Sequence, residues 1–180
     1  MDRTKIGIVG CGNISGTYLE VSRSFEDIEL VACSDIIAER AKERALKYNV
    51  PKACTVEDLL GDREIEIVLN LTPPKAHAEI AIKALKAGKS IYNETPPAIT
   101  REGGKGNLRQ TKEKGVRVGC APDTFLGGGM QTCRKLIDDG WIGEPIAATA
   151  FVTGHGPERW HPDPEFFYKI GAGPIFDMGP

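Results

Sequence analysis

Lys5-Ile6-Gly7-Ile8-Val9-Gly10-Cys11-Gly12-Asn13-Ile14-Ser15-Gly16 is the stretch from which the rest of the chain is read. A short apolar run with small residues ends at Val9, a glycine turn follows, and Tyr18, Leu19 and Val21 then recur at helical spacing. Strand, tight turn and helix in that order form the phosphate cradle of a dinucleotide-binding unit. Gly10 permits the sharp turn, and Gly12 keeps a Cβ out of the way of an approaching pyrophosphate. N–H groups at the helix start, at the positive end of its dipole, face the anion. Ser15 takes the third position of the G-x-G-x-x-G pattern and is small enough for close packing of helix on strand. Gly10, Gly12, Asn13 and Ile14 are therefore the expected cofactor contacts of the turn.

Outward from the turn, strands and helices alternate. Ile28-Glu29-Leu30-Val31-Ala32-Cys33-Ser34-Asp35 reads as a second buried strand ending in an acid 23 residues beyond Gly12. That is about where a carboxylate bonds the adenosine ribose and repels a 2′-phosphate, which points to NAD. Arg40 and Arg44 leave NADP open, and a helix N-cap is the plainer reading of Asp35. A second helix reaches Tyr48, and Thr55-Val56-Glu57-Asp58 caps a short one closed by Gly61. Ile65–Leu71 is a third strong strand, stopped by Thr72-Pro73-Pro74, whose prolines pre-set a helix from Lys75 to about Ala87. Ser90–Glu94 is a fourth strand. The glycines at 103, 104 and 106 predict a short, frayed or irregular helix between Thr100 and Gly115, since each interior glycine costs about 1 kcal/mol. Val116–Ala121 is a further strand, and a helix runs from Met130 to about Asp139. Ile146–Thr153 predicts the first strand of a second sheet, and 154–180 reads as long loops. The expected class is α/β, a Rossmann-type doubly wound parallel sheet followed by the start of an incomplete α/β substrate domain.

Composition narrows the function classes. The chain has 180 residues, 41% of them hydrophobic and 27% charged, which suits a soluble globular domain or one domain and part of another. A net charge of -2 gives no electrostatic reason to expect nucleic acid or an anionic membrane. No apolar run is long enough to span a bilayer, and Met1-Asp2-Arg3-Thr4 leads straight into the first strand, so a cytoplasmic protein without a signal peptide is expected. Five scattered cysteines without a C-x-x-C pair read as reduced thiols, with Cys11 as packing filler. His155 with Trp160-His161-Pro162-Asp163 reads as pocket lining or loop filler, since the spacing is not that of zinc ligands and no metal site is expected.

Several further segments fall in one recognisable order. They are Gly10–Ser15, Ser34-Asp35, Asn70-Leu71-Thr72-Pro73-Pro74 with His77, Ala87-Gly88-Lys89 and Glu94-x-Pro96. Gly119-Cys120-Ala121-Pro122, Ile142-Gly143-Glu144-Pro145 and Gly173-Pro174-Ile175-Phe176-Asp177-Met178-Gly179 complete the set. In these segments the chain resembles the glucose–fructose oxidoreductase and inositol dehydrogenase family (Gfo/Idh/MocA). The resemblance implies an NAD(P)-dependent dehydrogenase of sugars, polyols and related compounds. Residues 1–121 would be the cofactor domain and 122–180 the start of the substrate domain, truncated relative to members about twice as long. It further implies that Leu71, Thr72 and Pro73 lie under the cofactor, with His77 nearby, although a satisfied helix-start histidine is the alternative. Glu94 and Thr95 would meet the nicotinamide ribose, and Asp177 matches the acid opening the family's catalytic Asp-x-x-x-His segment. Thr95 stands where the family carries a lysine that orients cofactor and substrate and assists proton transfer. A small sugar-like substrate and association into a homo-oligomer are the implied partners. The alternative function is a dinucleotide-binding remnant or sensing module without efficient catalysis.

Overall fold

The computed structural model describes residues 3–179; Met1, Asp2 and Pro180, which fall in the expected domain spans, lie outside the described residues. Apolar runs bounded by turns form β1 (Thr4–Val9), β2 (Ile28–Ser34), β4 (Ile67–Asn70), β5 (Ser90–Asn93) and β6 (Val118–Cys120). In chain order β3 (Lys52–Cys54), which the sequence does not announce, comes between β2 and β4. It is a short edge strand whose residues 52–54 run beside 32–34, and its lysine-first tripeptide carries no apolar alternation to betray it. The strands form a single parallel sheet in the order β3-β2-β1-β4-β5-β6. That order is the doubly wound Rossmann arrangement, and its direction reverses between β1 and β4.

The first four crossovers are the helices α1 (Ser15–Val21), α2 (Ala38–Tyr48), α3 (Val56–Gly61) and α4 (Pro74–Lys86). The Thr55 hydroxyl caps α3 by accepting the Asp58 N–H at 3.1 Å. Pro74 opens α4, where its missing N–H costs nothing. Neighbouring β1 residues face opposite ways: Ile8 joins Leu19, Cys33, Ala41 and Leu71 in one core cluster, and Val9 joins Leu59, Val68, Ile80 and Leu85 in the other.

Two expectations are corrected. The segment after Thr100 is an unbroken helix, α5 (Arg101–Lys114), not a short or frayed one. Thr100 caps it, and its glycines bring it close to α4: a Cβ on Gly103 would stand 2.9 Å from the Ala78 Cβ, and one on Gly106 3.0 Å from Ile82 Cδ1. Packing on α4 outweighs the propensity cost. Residues 144–156 form no strand. A strand gains its stability from a partner's ladder, and among the described residues none runs beside this segment. The helix α6 (Gly128–Asp138) forms but takes in Gly128 and Gly129, ahead of the expected start at Met130, and the loops beyond it contain short 3-10 turns and α7 (Pro174–Asp177). Among the described residues no helix is long and apolar enough to cross a membrane.

Candidate functional site

At the reversal point, the carboxyl ends of β1 and β4 lie side by side, with Val9 opposite Asn70. The turn after β1 is cast against the end of β4. Gly10 has φ +103°, and a Cβ there would sit 2.6 Å from the Leu71 carbonyl carbon and 2.8 Å from the Thr72 nitrogen. Only glycine satisfies both demands. At Gly12, by contrast, a Cβ would meet no protein atom within 4 Å. Packing of the chain therefore does not demand that glycine; what it keeps clear is access to the turn's backbone. Ser15 is fully buried and its hydroxyl donates to the Gly12 carbonyl at 2.7 Å, fixing the turn on the start of α1. Among the described residues none accepts from the N–H groups of Gly12, Asn13 or Ile14. Those three donors and the clear approach fit a pyrophosphate.

Asp35 follows β2 and braces the turn from the side. Its carboxylate accepts the Cys11 N–H at 2.7 Å and the Ile37 N–H at 2.8 Å. It is not the cap of α2, whose N-cap is Ile37. A carboxylate has about four acceptor positions, so capacity for ribose hydroxyls remains. Arg44, on α2, donates to the carbonyls of Cys11 (3.5 Å) and Gly12 (3.2 Å), while Arg40 is exposed one turn earlier. A hydrogen bond with Cys33 and burial push the Cys11 thiol up, which keeps it protonated as packing material.

A buried polar network joins the ends of β4 and β5. Asn70 and Asn93 are opposite in register and fully buried. The Asn70 amide donates to Asn93 Oδ1 (2.8 Å) and to the His77 carbonyl (3.0 Å), and its Oδ1 accepts the Thr72 hydroxyl at 2.7 Å. His77 is 1% exposed, with its ring Nδ1 2.6 Å from the Pro96 carbonyl and Nε2 2.5 Å from the Thr72 carbonyl. Both ring nitrogens are thus engaged by backbone beneath the two loops. Leu71 is buried, and Pro73 is exposed at the start of α4.

Beyond β5, Glu94 is held at both carboxylate oxygens, by the Tyr18 hydroxyl at 2.6 Å and by the Thr95 N–H at 3.0 Å. Burial and that bond to Glu94 push the Tyr18 hydroxyl well above its ordinary value, so it stays a donor. The Thr95–Pro96 peptide is cis. Partial desolvation, then the nearby carboxylates of Glu94 and Asp123, raise the Asp177 carboxyl on α7. The fold therefore gathers Gly10, Gly12, Asn13, Ile14 and Asp35 on one side of the crevice, and Leu71, Thr72, Pro73, Glu94 and Thr95 on the other; among the described residues no hydrogen bond or ion pair ties the Asp177 side chain to either set. Tyr18 and Asn93 are additions the sequence reading does not assign. The signal for Asn93 is an asparagine ending each of two adjacent buried strands; the Tyr18–Glu94 pair spans 76 residues and carries no local signal. His161 turns its Nδ1 to the backbone of Asp163, and among the described residues no three His, Cys, Asp or Glu side chains converge as metal ligands would.

A model of the Gfo/Idh/MocA oxidoreductase family, with an NAD-binding Rossmann fold, matches residues 4–121. Inositol 2-dehydrogenase of Salmonella typhimurium is 31% identical over 148 residues, covering 79% of this chain and 44% of that protein. The 1,5-anhydro-D-fructose reductase of Ensifer adhaerens is 30% identical over 177 residues, 96% of this chain and 52% of that enzyme. Among solved structures, a biliverdin reductase from Synechocystis in complex with biliverdin and NADP+ is similar with a TM-score of 0.75. Its identity is 28%, over 97% of this chain and 54% of that one. The chain spans about half the length of the curated relatives it matches.

Proposed function

This chain belongs to the Gfo/Idh/MocA oxidoreductase family, with its NAD-binding Rossmann fold, and from that premise we propose that it binds NAD in the crevice between β1 and β4 and serves hydride exchange with a sugar- or polyol-like substrate. The observation that carries the proposal is the turn itself: Gly10 wedged against Leu71 and Thr72, with three N–H groups at Gly12, Asn13 and Ile14 unclaimed among the described residues. Those N–H groups hold the pyrophosphate, and Asp35 accepts the adenosine ribose hydroxyls while Arg40 and Arg44 keep NADP admissible. Leu71, Thr72 and Pro73 form the floor. Glu94, fixed by Tyr18 and Thr95, accepts the nicotinamide ribose hydroxyls. The cofactor supplies the hydride chemistry.

Substrate handling falls to Thr95 and Asp177. Thr95 offers a neutral hydroxyl for orientation, and Asp177, its carboxyl raised by partial desolvation and by Glu94 and Asp123, holds a proton more readily than a free aspartate. Residues 1–121 are the cofactor domain in this reading, and 122–180 begin the substrate-facing part. The substrate class follows the names of the similar proteins, which act on inositol and on 1,5-anhydro-D-fructose.

Thr95 also favours a second reading, cofactor binding without efficient turnover, because no charged side chain stands at that position. Titrating the 180-residue chain with NADH by fluorescence, then assaying NAD reduction across a panel of polyols, separates the two. Binding with turnover supports the dehydrogenase and binding alone supports the second reading. No binding sinks both.

A further inference from the structure

His77 is singled out by its buried ring and by what the ring touches. Both nitrogens point at backbone carbonyl oxygens, Thr72 at 2.5 Å and Pro96 at 2.6 Å. A carbonyl has no proton to give, so each contact is a hydrogen bond only if the ring nitrogen is the donor. A neutral imidazole has one N–H, and would leave one lone pair facing another across that short distance. The imidazolium satisfies both, with one N–H for each carbonyl.

The two carbonyls belong to different loops. Thr72 follows β4 and lies against Gly10, at the pyrophosphate end of the crevice. Pro96 follows Glu94 and Thr95, at the nicotinamide end. The His77 carbonyl is also tied, through the Asn70 amide, to the ends of β4 and β5. Charged residues on the surrounding elements are Lys75 and Glu79 on its own helix, Glu94 after β5, and Arg101 and Glu102 at the start of α5. Among the described residues none of these pairs with the ring, so the two carbonyl dipoles are its recognised partners.

We propose that His77 is a positioning residue, a doubly protonated imidazole that donates to the Thr72 and Pro96 carbonyls at once and so sets the spacing of the two loops that hold the dinucleotide. The inference rests on the dinucleotide reading above for its purpose, but not for its chemistry. The chain has three histidines, and His155→Gln with His161→Gln leaves His77 as the sole one. In that otherwise complete chain, nitrogen-15 NMR at pH 7 without cofactor is expected to show a one-bond proton on both ring nitrogens. A ring with a single N–H overturns the proposal. The companion experiment is His77→Gln, whose one side-chain nitrogen cannot reach both carbonyls. In the folded variant NADH is expected to bind about tenfold more weakly, and unchanged affinity overturns the positioning role. If His77→Gln does not fold, the spectrum of the double variant still decides the double-donor chemistry. Failure of NADH to bind the unaltered chain would sink the dinucleotide reading and leave the ring's two protons to be counted on their own.

Discussion

Replacing Gly10 by alanine puts a Cβ 2.6 Å from the Leu71 backbone at a φ of +103°. Sterics and backbone strain together are expected to cost at least ~2 kcal/mol of stability, read as a lowered denaturation midpoint, with NADH affinity lost as the turn shifts. Asp35→Ala acts on another axis. It is expected to weaken NAD by about tenfold and NADP by less, measured by parallel fluorescence titrations; equal losses would mean that Asp35 serves only the Cys11 and Ile37 N–H groups. At this scale much was legible in the sequence. The placement of Gly10 and Gly12 in a turn was readable because a turn is local, and that of Asp35 beside it because one helix and one strand fix its offset. Tyr18 as the partner of Glu94 was not, since that pairing exists only once the fold has brought α1 beside the end of β5; the asparagines ending β4 and β5 hint at Asn93, but their pairing too waits on the sheet.

Among the elements, α5 tests how packing overrides propensity. Gly103 sits against Ala78 and Ala98, whereas a Cβ on Gly104 would meet nothing within 4 Å. Gly104→Ala is therefore expected to stabilise the protein by about 0.5–1 kcal/mol through helix propensity. Gly103→Ala is expected to destabilise it by about 1 kcal/mol through overpacking. Thermal unfolding of the two variants, differing by one position, should move in opposite directions. Composition alone cannot tell these glycines apart, because it does not say which way a helix turns its face. Most of the sheet was readable by contrast, since buried parallel strands are apolar runs ended by turns. β3 escaped for the opposite reason, as an edge strand needs little apolar content to pair on one side. The strand expected at 146–153 failed because apolar character alone supplies no ladder.

Across the whole molecule, order is uneven in kind. Residues 4–121 share two core clusters and six paired strands, while 144–156 lie outside any helix or strand. Hydrogen exchange followed by mass spectrometry should find β1, β2 and β4 the slowest segments and 144–156 exchanging at the rate of an open chain. The later residues also carry Trp141, Ile146, Phe151 and Ile170 at 75–96% exposure. Surface of that kind is expected to drive association, visible as a sedimentation coefficient that climbs with concentration. The contact between Gly10 and the backbone at residues 71–72 bears on how such a turn can be moved between proteins. Because its first glycine is shaped to a neighbouring strand end rather than to its own helix, grafting residues 10–15 onto another scaffold transplants half of a mould. An engineer who wants the phosphate grip must carry Leu71 and Thr72 along as the other half.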